Sequence, residues 1–130
     1  MVSIKSKTKP TFILYKSDRP NKKYVLDTGL KKIYFGASRY RDFTLLNDPD
    51  SRFYEADEIE RLKVKKNYLK RHQGDKLDEI SPGSLSYFLL WNEPTLEDSI
   101  KFYEKDFKVK IIDNSSEKYE KSFKNILKNK

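Results

Sequence analysis

Apolar positions in this chain recur at two different periods, and the switch between them divides it into elements. Thr11 to Lys16 (TFILYK) is a β-prone run that predicts a strand, and Ser17-Asp18-Arg19-Pro20-Asn21 is a loop. Two more β-prone runs, Lys23 to Leu26 and Leu30 to Phe35, flank Asp27-Thr28-Gly29. Gly29 can take the left-handed conformation that closes a short hairpin loop, so three strands are expected before Gly36. Residues 37–50 read as loop, with Asp48-Pro49-Asp50 as a stop and then a helix start.

From Ser51 to His72 the period becomes helical, with Phe53, Ile59, Leu62 and Leu69 recurring at helical spacing and no Pro or Gly before Gly74. Asp57 and Arg61 stand at i,i+4 spacing in the favourable order. Ser81-Pro82 supplies an N-cap and a Pro at N1 for a short helix through Leu85, Phe88, Leu89 and Trp91. That helix is apolar almost all round and is therefore expected in the core. Thr95 and Asp98 have capping-box spacing, and Leu96, Ile100, Tyr103 and Phe107 fall on one face of the helix they open. Lys108 to Ile112 (KVKII) alternates as a strand does. Asn114 to Glu117 repeats the capping-box spacing ahead of a final amphipathic helix with Tyr119, Phe123, Ile126 and Leu127 on its apolar face. A Lys-rich helix of this length is marginal alone, so that face is expected to dock on a partner.

These elements predict an α+β fold: an N-terminal antiparallel β-hairpin or three-stranded sheet, packed by three to four helices. Whether KVKII joins the sheet is left open. Phe35, Leu85, Phe88, Leu89, Trp91, Leu96 and Ile100 are the expected core. The chain divides into a basic arm (1–10), one α+β domain (11–112) and the Lys-rich C-terminal helix (113–130).

Composition sharpens this picture in two ways. Only 36% of the 130 residues are apolar, but nine Tyr, eight Phe and one Trp bury large area each, so a compact core is feasible beside 37% charged positions. There is no Cys, which removes disulfides, thiolate metal sites and Cys nucleophiles. The longest near-apolar run, Leu85 to Trp91, is far short of the ~18 residues a bilayer requires, and MVSIKSKTKP lacks an apolar signal core. The chain is expected to be soluble and unsecreted.

Charge is segregated along the chain. Residues 1–41 carry +9, 42–60 carry −6, 61–72 carry +6, 73–107 carry −5 and 108–130 carry +4, for a total of +8. Acids ahead of bases in the predicted 51–72 helix match its macrodipole, which accounts for the middle alternation. The positive ends are not explained that way and are expected to meet an acidic partner.

Catalytic patterns are thin. His72 is the sole histidine, best read as a helix C-terminal or packing residue. Asp42, Asp48 and Asp50, with Asp106-Phe107-Lys108, mimic a metal-dependent nuclease pattern, but its D-x-K belongs on a strand and here falls at a helix end. Neither GxGxxG nor GxxxxGK[ST] occurs, and no cofactor or metal site is expected. The basic positions are more promising. Lys31, Lys32, Arg39, Tyr40 and Arg41 set bases among aromatics at the hairpin's end, and Lys65, Lys66, Lys70, Arg71 and His72 make the last turns of the long helix basic. If about six of these bases met phosphates, the log–log salt slope would be near −5.

Four strings also occur in order: Tyr34-Phe35-Gly36; Asp42-Phe43-Thr44; Lys66 to His72 (KNYLKRH); and Leu85 to Asn92 (LSYFLLWN) with Pro94-Thr95-Leu96 and Ile100. Together they resemble a small, basic, functionally uncharacterised protein family of large nucleocytoplasmic DNA viruses, over roughly residues 22–107. Asn47-Asp48 departs from the basic dipeptide of that family, and the acidic stretch Ser51 to Lys63 lengthens the interval before Tyr68. The resemblance implies a virus-encoded protein of the virion and, during assembly, the host cytoplasm, and it brings no catalytic residue.

The first expectation is accordingly a non-enzymatic particle component, a minor capsid or virion-associated protein contacting other virion proteins in multiple copies. The second is a sequence-nonspecific packaging protein that binds the DNA or RNA backbone. A metal-dependent nuclease through Asp42, Asp48 and Asp50 is the third.

Overall fold

A computed structural model describes residues 9–72 and 79–119. Its frame is a four-stranded sheet of β1 (Thr11–Lys16), β2 (Lys22–Asp27), β3 (Lys32–Ala37) and β4 (Lys110–Lys118), in the order β3-β2-β1-β4. The first three strands form an antiparallel meander, with Leu14 opposite Leu26 and Tyr24 opposite Phe35, while β4 runs parallel to β1 and sets Ile111 beside Phe12. This is the α+β fold expected from the periodicities, and it resolves the open question of KVKII, whose last three residues, Lys110 to Ile112, join the sheet.

Period-2 alternation sends Phe12, Leu14, Leu26, Ile33, Phe35 and Ile111 to one buried face. The helices pack there. They are α1 (Phe43–Leu46), α2 (Glu58–His72), α3 (Pro82–Leu85), which runs into a π-helical turn over Ser86–Leu90, and α4 (Leu96–Phe107). Leu85, Leu89, Leu90, Trp91, Ile100 and Tyr103 complete the core, with Phe88 and Leu96 partly buried against it. All seven expected core residues are therefore in place.

Local chemistry sets most of the boundaries. Ser81 and Ser84 form a reciprocal capping box at α3 with Pro82 at N1, and the Thr95 hydroxyl accepts from the Asp98 N–H at 3.1 Å. Gly29 has φ +93°, its N–H held by the Asp27 carboxylate at 2.9 Å, so the hairpin turns where expected. Lys108 takes the left-handed conformation (φ 56°) as the C-cap of α4, and the strand after it begins at Lys110.

Three expectations need correction. The helix predicted from Ser51 starts at Glu58. Residues 51–57 prefer side-chain-to-backbone bonds: Ser51 Oγ accepts from the Phe53 N–H, Glu55 from the Asp57 N–H, and the Arg61 guanidinium donates to the Glu55 carbonyl at 2.5 Å. Asp57 caps the helix through the Ile59 N–H instead of pairing with Arg61. Ile59 and Leu62 are 76% and 50% exposed, and Val64, Tyr68 and Leu69 make the packed stripe. Residues 37–50, expected as loop, contain α1, capped by Asp42.

The third correction concerns the end of the chain. Residues 113–118, assigned to a final helix and placed outside the domain, continue β4 within it. Pairing with β1 down to Lys118 opposite Lys16, and the Tyr119 N–H donating to the Lys16 carbonyl at 2.9 Å, outweigh a local helix start. Tyr119 is consequently buried edge-on to Tyr15, 5.3 Å between centroids, and is no part of an exposed helix face. Phe123, Ile126 and Leu127 lie outside the described residues, as do residues 1–8 of the basic arm.

Two outcomes follow from this packing. Gly36 has φ +79°, and a Cβ there would stand 2.8 Å from Cδ1 of the buried Leu90, whereas nothing lies within 4 Å of a Cβ at Gly29. Gly29→Ala should therefore cost about 1 kcal/mol of backbone strain and Gly36→Ala at least about 2 kcal/mol, a difference measurable by urea unfolding. Burial pushes the Tyr103 hydroxyl up to about 12, and burial with the nearby Asp42 and Asp113 carboxylates does the same for Tyr24. The native state holds these protons where the unfolded chain releases them, so stability should fall as pH rises from about 10 through 12. Tyrosinate absorbance and circular dichroism recorded together would check this: titration of all nine tyrosines without unfolding would contradict it.

Candidate functional site

Beyond the C-terminal end of β3 the chain turns through Tyr40, Arg41 and Asp42, and one half-buried cation fixes that turn. Lys23 of β2 donates from Nζ to the Tyr40 carbonyl at 2.7 Å and to Asp42 Oδ2 at 2.6 Å. The Asp42 side chain is 2% exposed and that of Lys23 14%. The other carboxylate oxygen, Oδ1, accepts from Thr44 Oγ1 at 2.6 Å and from the Leu45 N–H at 3.0 Å, capping α1. Both carboxylate oxygens of Asp42 are thus engaged within the protein.

Opposite this turn stand α2 and the π-helical turn. A turn closed by i→i+5 bonds is wider than an α-turn, and Ser86, Leu90 and Trp91 come to the same side. Lys65 ties these two walls together, its Nζ donating to the Asn92 carbonyl at 2.6 Å while lying 4.9 Å from the Phe43 ring centroid. Between turn, α2 and π-turn lies a cavity of about 430 Å³. Gly36 and Ala37 line one side, Val64, Asn67, Tyr68 and Arg71 another, and Leu90 and Trp91 a third. The absent side chain of Gly36 is what lets Leu90 approach the end of β3.

Trp91 and His72 both stack on Tyr68, with centroids 4.1 and 4.2 Å away and planes inclined by 5° and 27°. Stacked rings stand about 3.5 Å apart, so two rings this near one centroid cannot share a face, and Tyr68 is held between Trp91 and His72. The aromatic wall is therefore a three-ring stack, and His72 is the packing residue its sequence context allowed.

Electrostatically the cavity is one-sided. Its lining contains Lys23, Arg41 and Arg71 against one carboxylate, Asp42, already matched to Lys23. Arg41 and Arg71 are exposed, and no carboxylate among the described residues pairs with either. Tyr40, 70% exposed, lines the same cavity.

The ten basic and aromatic positions picked out in the sequence thus separate. Tyr40, Arg41 and Arg71 line the cavity, and His72 backs its aromatic wall. Lys65 has a structural use. Lys66, Lys70 and Arg39 are exposed nearby in sequence but do not line it. Lys31 and Lys32 sit at the other end of β3, about 20 Å of strand away. The Lys32 ammonium lies 5.3 Å from the Tyr119 ring, bordering a separate groove with Asp18, Arg19, Lys22 and Tyr34. Lys23 was missed, because it does not stand out by composition, and Asn67 and Ser86 were picked out only as members of the strings and not as site residues. Gly36, Asp42, Tyr68, Arg71, Leu90 and Trp91 all belong to the four strings singled out in the sequence, and those strings meet at this cavity.

The acids of the nuclease pattern are put to other uses. Asp42 is consumed as described, and Asp48 accepts from the Asp50 N–H in a local turn. Among the described residues no group of three or more His, Asp or Glu side chains is placed to hold a metal ion.

Residues 12–56 match a family of unknown function (DUF5754). The match covers the three-stranded meander, the Tyr40–Asp42 turn and α1, hence the sheet side of the cavity but neither α2 nor the π-turn. That description carries no activity and assigns no role to any residue. No curated protein and no solved structure matches the chain.

The buried pair yields a test of the site's construction. Asp42→Ala strips Lys23 of its counter-charge and α1 of its cap and should cost about 3–5 kcal/mol, whereas Asp42→Asn keeps a capping oxygen and should cost less. Equal losses for the two variants, measured by urea unfolding, would show that the cap is unimportant.

Proposed function

We propose that this chain is a non-enzymatic module that binds nucleic acid through its backbone, with little sequence discrimination. One observation carries the reading: Arg41 and Arg71, distant in sequence and free of carboxylate partners among the described residues, converge with exposed Tyr40 on a concave, net-positive cavity. Guanidinium groups match phosphate oxygens in a fixed fork, and an adjacent aromatic ring offers a stacking surface that any base can use. Lys66 and Lys70, exposed on α2, would extend the basic surface beyond the cavity.

A second reading, the particle component expected from the resemblance, draws support from a different feature. Ile59 and Leu62 lie one helical turn apart on α2 and are exposed, an apolar pair suited to a neighbouring protein. It would place the protein in the virion among other particle proteins, and the two readings are compatible in a packaging protein.

With Lys65 engaged internally and Lys31 and Lys32 remote, five cations remain for phosphate contact, Arg39, Arg41, Lys66, Lys70 and Arg71, so the expected log–log salt slope on a single strand is about −3.5. Filter binding across a salt series measures it. The double variant Arg41→Gln/Arg71→Gln should weaken binding and reduce the slope by about 1.5 while leaving the unfolding midpoint unchanged. Absence of binding by the unaltered protein at about 50 mM salt would overturn the reading.

A further inference from the structure

We infer that the cavity accepts one unpaired nucleotide of a strand, so that the chain prefers single-stranded nucleic acid to duplex. This rests on the proposed backbone-binding function and adds what the site does with the base.

The shape of the surface argues for it. In a duplex the phosphates form outer ridges and the bases are paired inside, so a protein that meets only phosphates needs cations on an open surface. Here two arginines without carboxylate partners among the described residues stand instead at a recess of about 430 Å³, within the range of small-ligand sites. A phosphate held at the mouth by Arg41 and Arg71 leaves its own base beside the recess. Only an unpaired base is free to enter.

The lining chemistry argues for it too. Ala37, Val64, Leu90 and Trp91 present apolar surface, and Asn67 and Ser86 bring an amide and a hydroxyl, each able both to donate and to accept. That combination suits the flat apolar faces and polar edge of a nucleobase without demanding one base. Tyr68 does not supply the stacking face, since Trp91 and His72 already occupy its two sides. Tyr40 does: its backbone is pinned through Lys23 while the residue is 70% exposed. An exposed aromatic residue lining the same recess as both arginines is free to stack on a base without first being released from the core.

Trp91 is the sole tryptophan and lines the cavity, so its fluorescence reports occupancy in the full-length protein. The titrants are an oligothymidylate of about ten nucleotides, within the site size of known single-strand binders, a duplex of equal length, free dTMP, thymidine and inorganic phosphate. The expected result is a saturable change with the single strand at an affinity at least tenfold above the duplex. Free dTMP should give the same change at higher concentration, and neither thymidine nor phosphate alone should do so. Tyr40→Ala should lower single-strand affinity about tenfold or more with little effect on duplex, and Tyr40→Phe should retain it. Since Tyr40 is exposed, neither change is expected to move the unfolding midpoint.

Equal affinity for single strand and duplex, insensitive to Tyr40→Ala, would overturn this inference and leave the backbone-binding function standing. If dTMP bound as tightly as the oligonucleotide, the ligand would be a free nucleotide and the strand would be excluded. Failure of both polymers to bind would remove the parent reading itself.

Discussion

The buried contact between Lys23 and Asp42 is the constraint on which the site depends. An ion pair this enclosed contributes little net stability, because removing both charges from water offsets most of their attraction. Its value is positional. Lys23 sits on β2, and through one ammonium it holds both the Tyr40 carbonyl and the Asp42 carboxylate, while Asp42 also starts α1. The turn that presents Tyr40 and Arg41 is thereby tied to the sheet without any regular secondary structure of its own. A cation normally expected to greet an anionic ligand is spent on framing the mouth, and Arg41 and Arg71 are left to face outward.

The remaining walls are set by packing. Gly36 allows Leu90 to meet the end of β3, the π-turn carries Ser86, Leu90 and Trp91 to one side, and Lys65 fastens α2 to the segment after that turn. The Trp91–Tyr68–His72 stack then joins α2 to the core through rings in place of aliphatic side chains, which suits a helix that buries no residue completely. Such a cavity is walled by packed elements on three sides, the arrangement expected of a preformed binding site.

The sheet shows how a free edge is managed. β4 is the outermost strand beside β1, and the Ile111 N–H, which would otherwise face an incoming strand, donates to the Glu104 carboxylate of α4 at 2.8 Å. Asp113 similarly takes the Ser115 N–H at 2.9 Å. Acidic side chains that look like a solvated helix face and a loop in sequence thus satisfy backbone donors along the edge.

What the sequence by itself determined is what short-range physics controls. The hairpin at Gly29, the caps at Ser81 and Thr95, the inward-facing Phe35, Leu85, Leu89 and Ile100, and the α+β class all follow from periodicity and turn chemistry within a few residues. The tertiary structure alone decided matters in which distant segments compete or combine. Pairing with β1 drew residues 113–118 into a strand despite a local helix start, and side-chain bonds to backbone held 51–57 out of α2. The site belongs to the same class. Arg41 and Arg71 were legible as basic, but not that they share a cavity; Lys65 looked equivalent to its neighbours until Asn92 claimed its ammonium. Charge and aromaticity are properties of single residues, whereas a cavity is a relation among three segments, and only packing sets that relation.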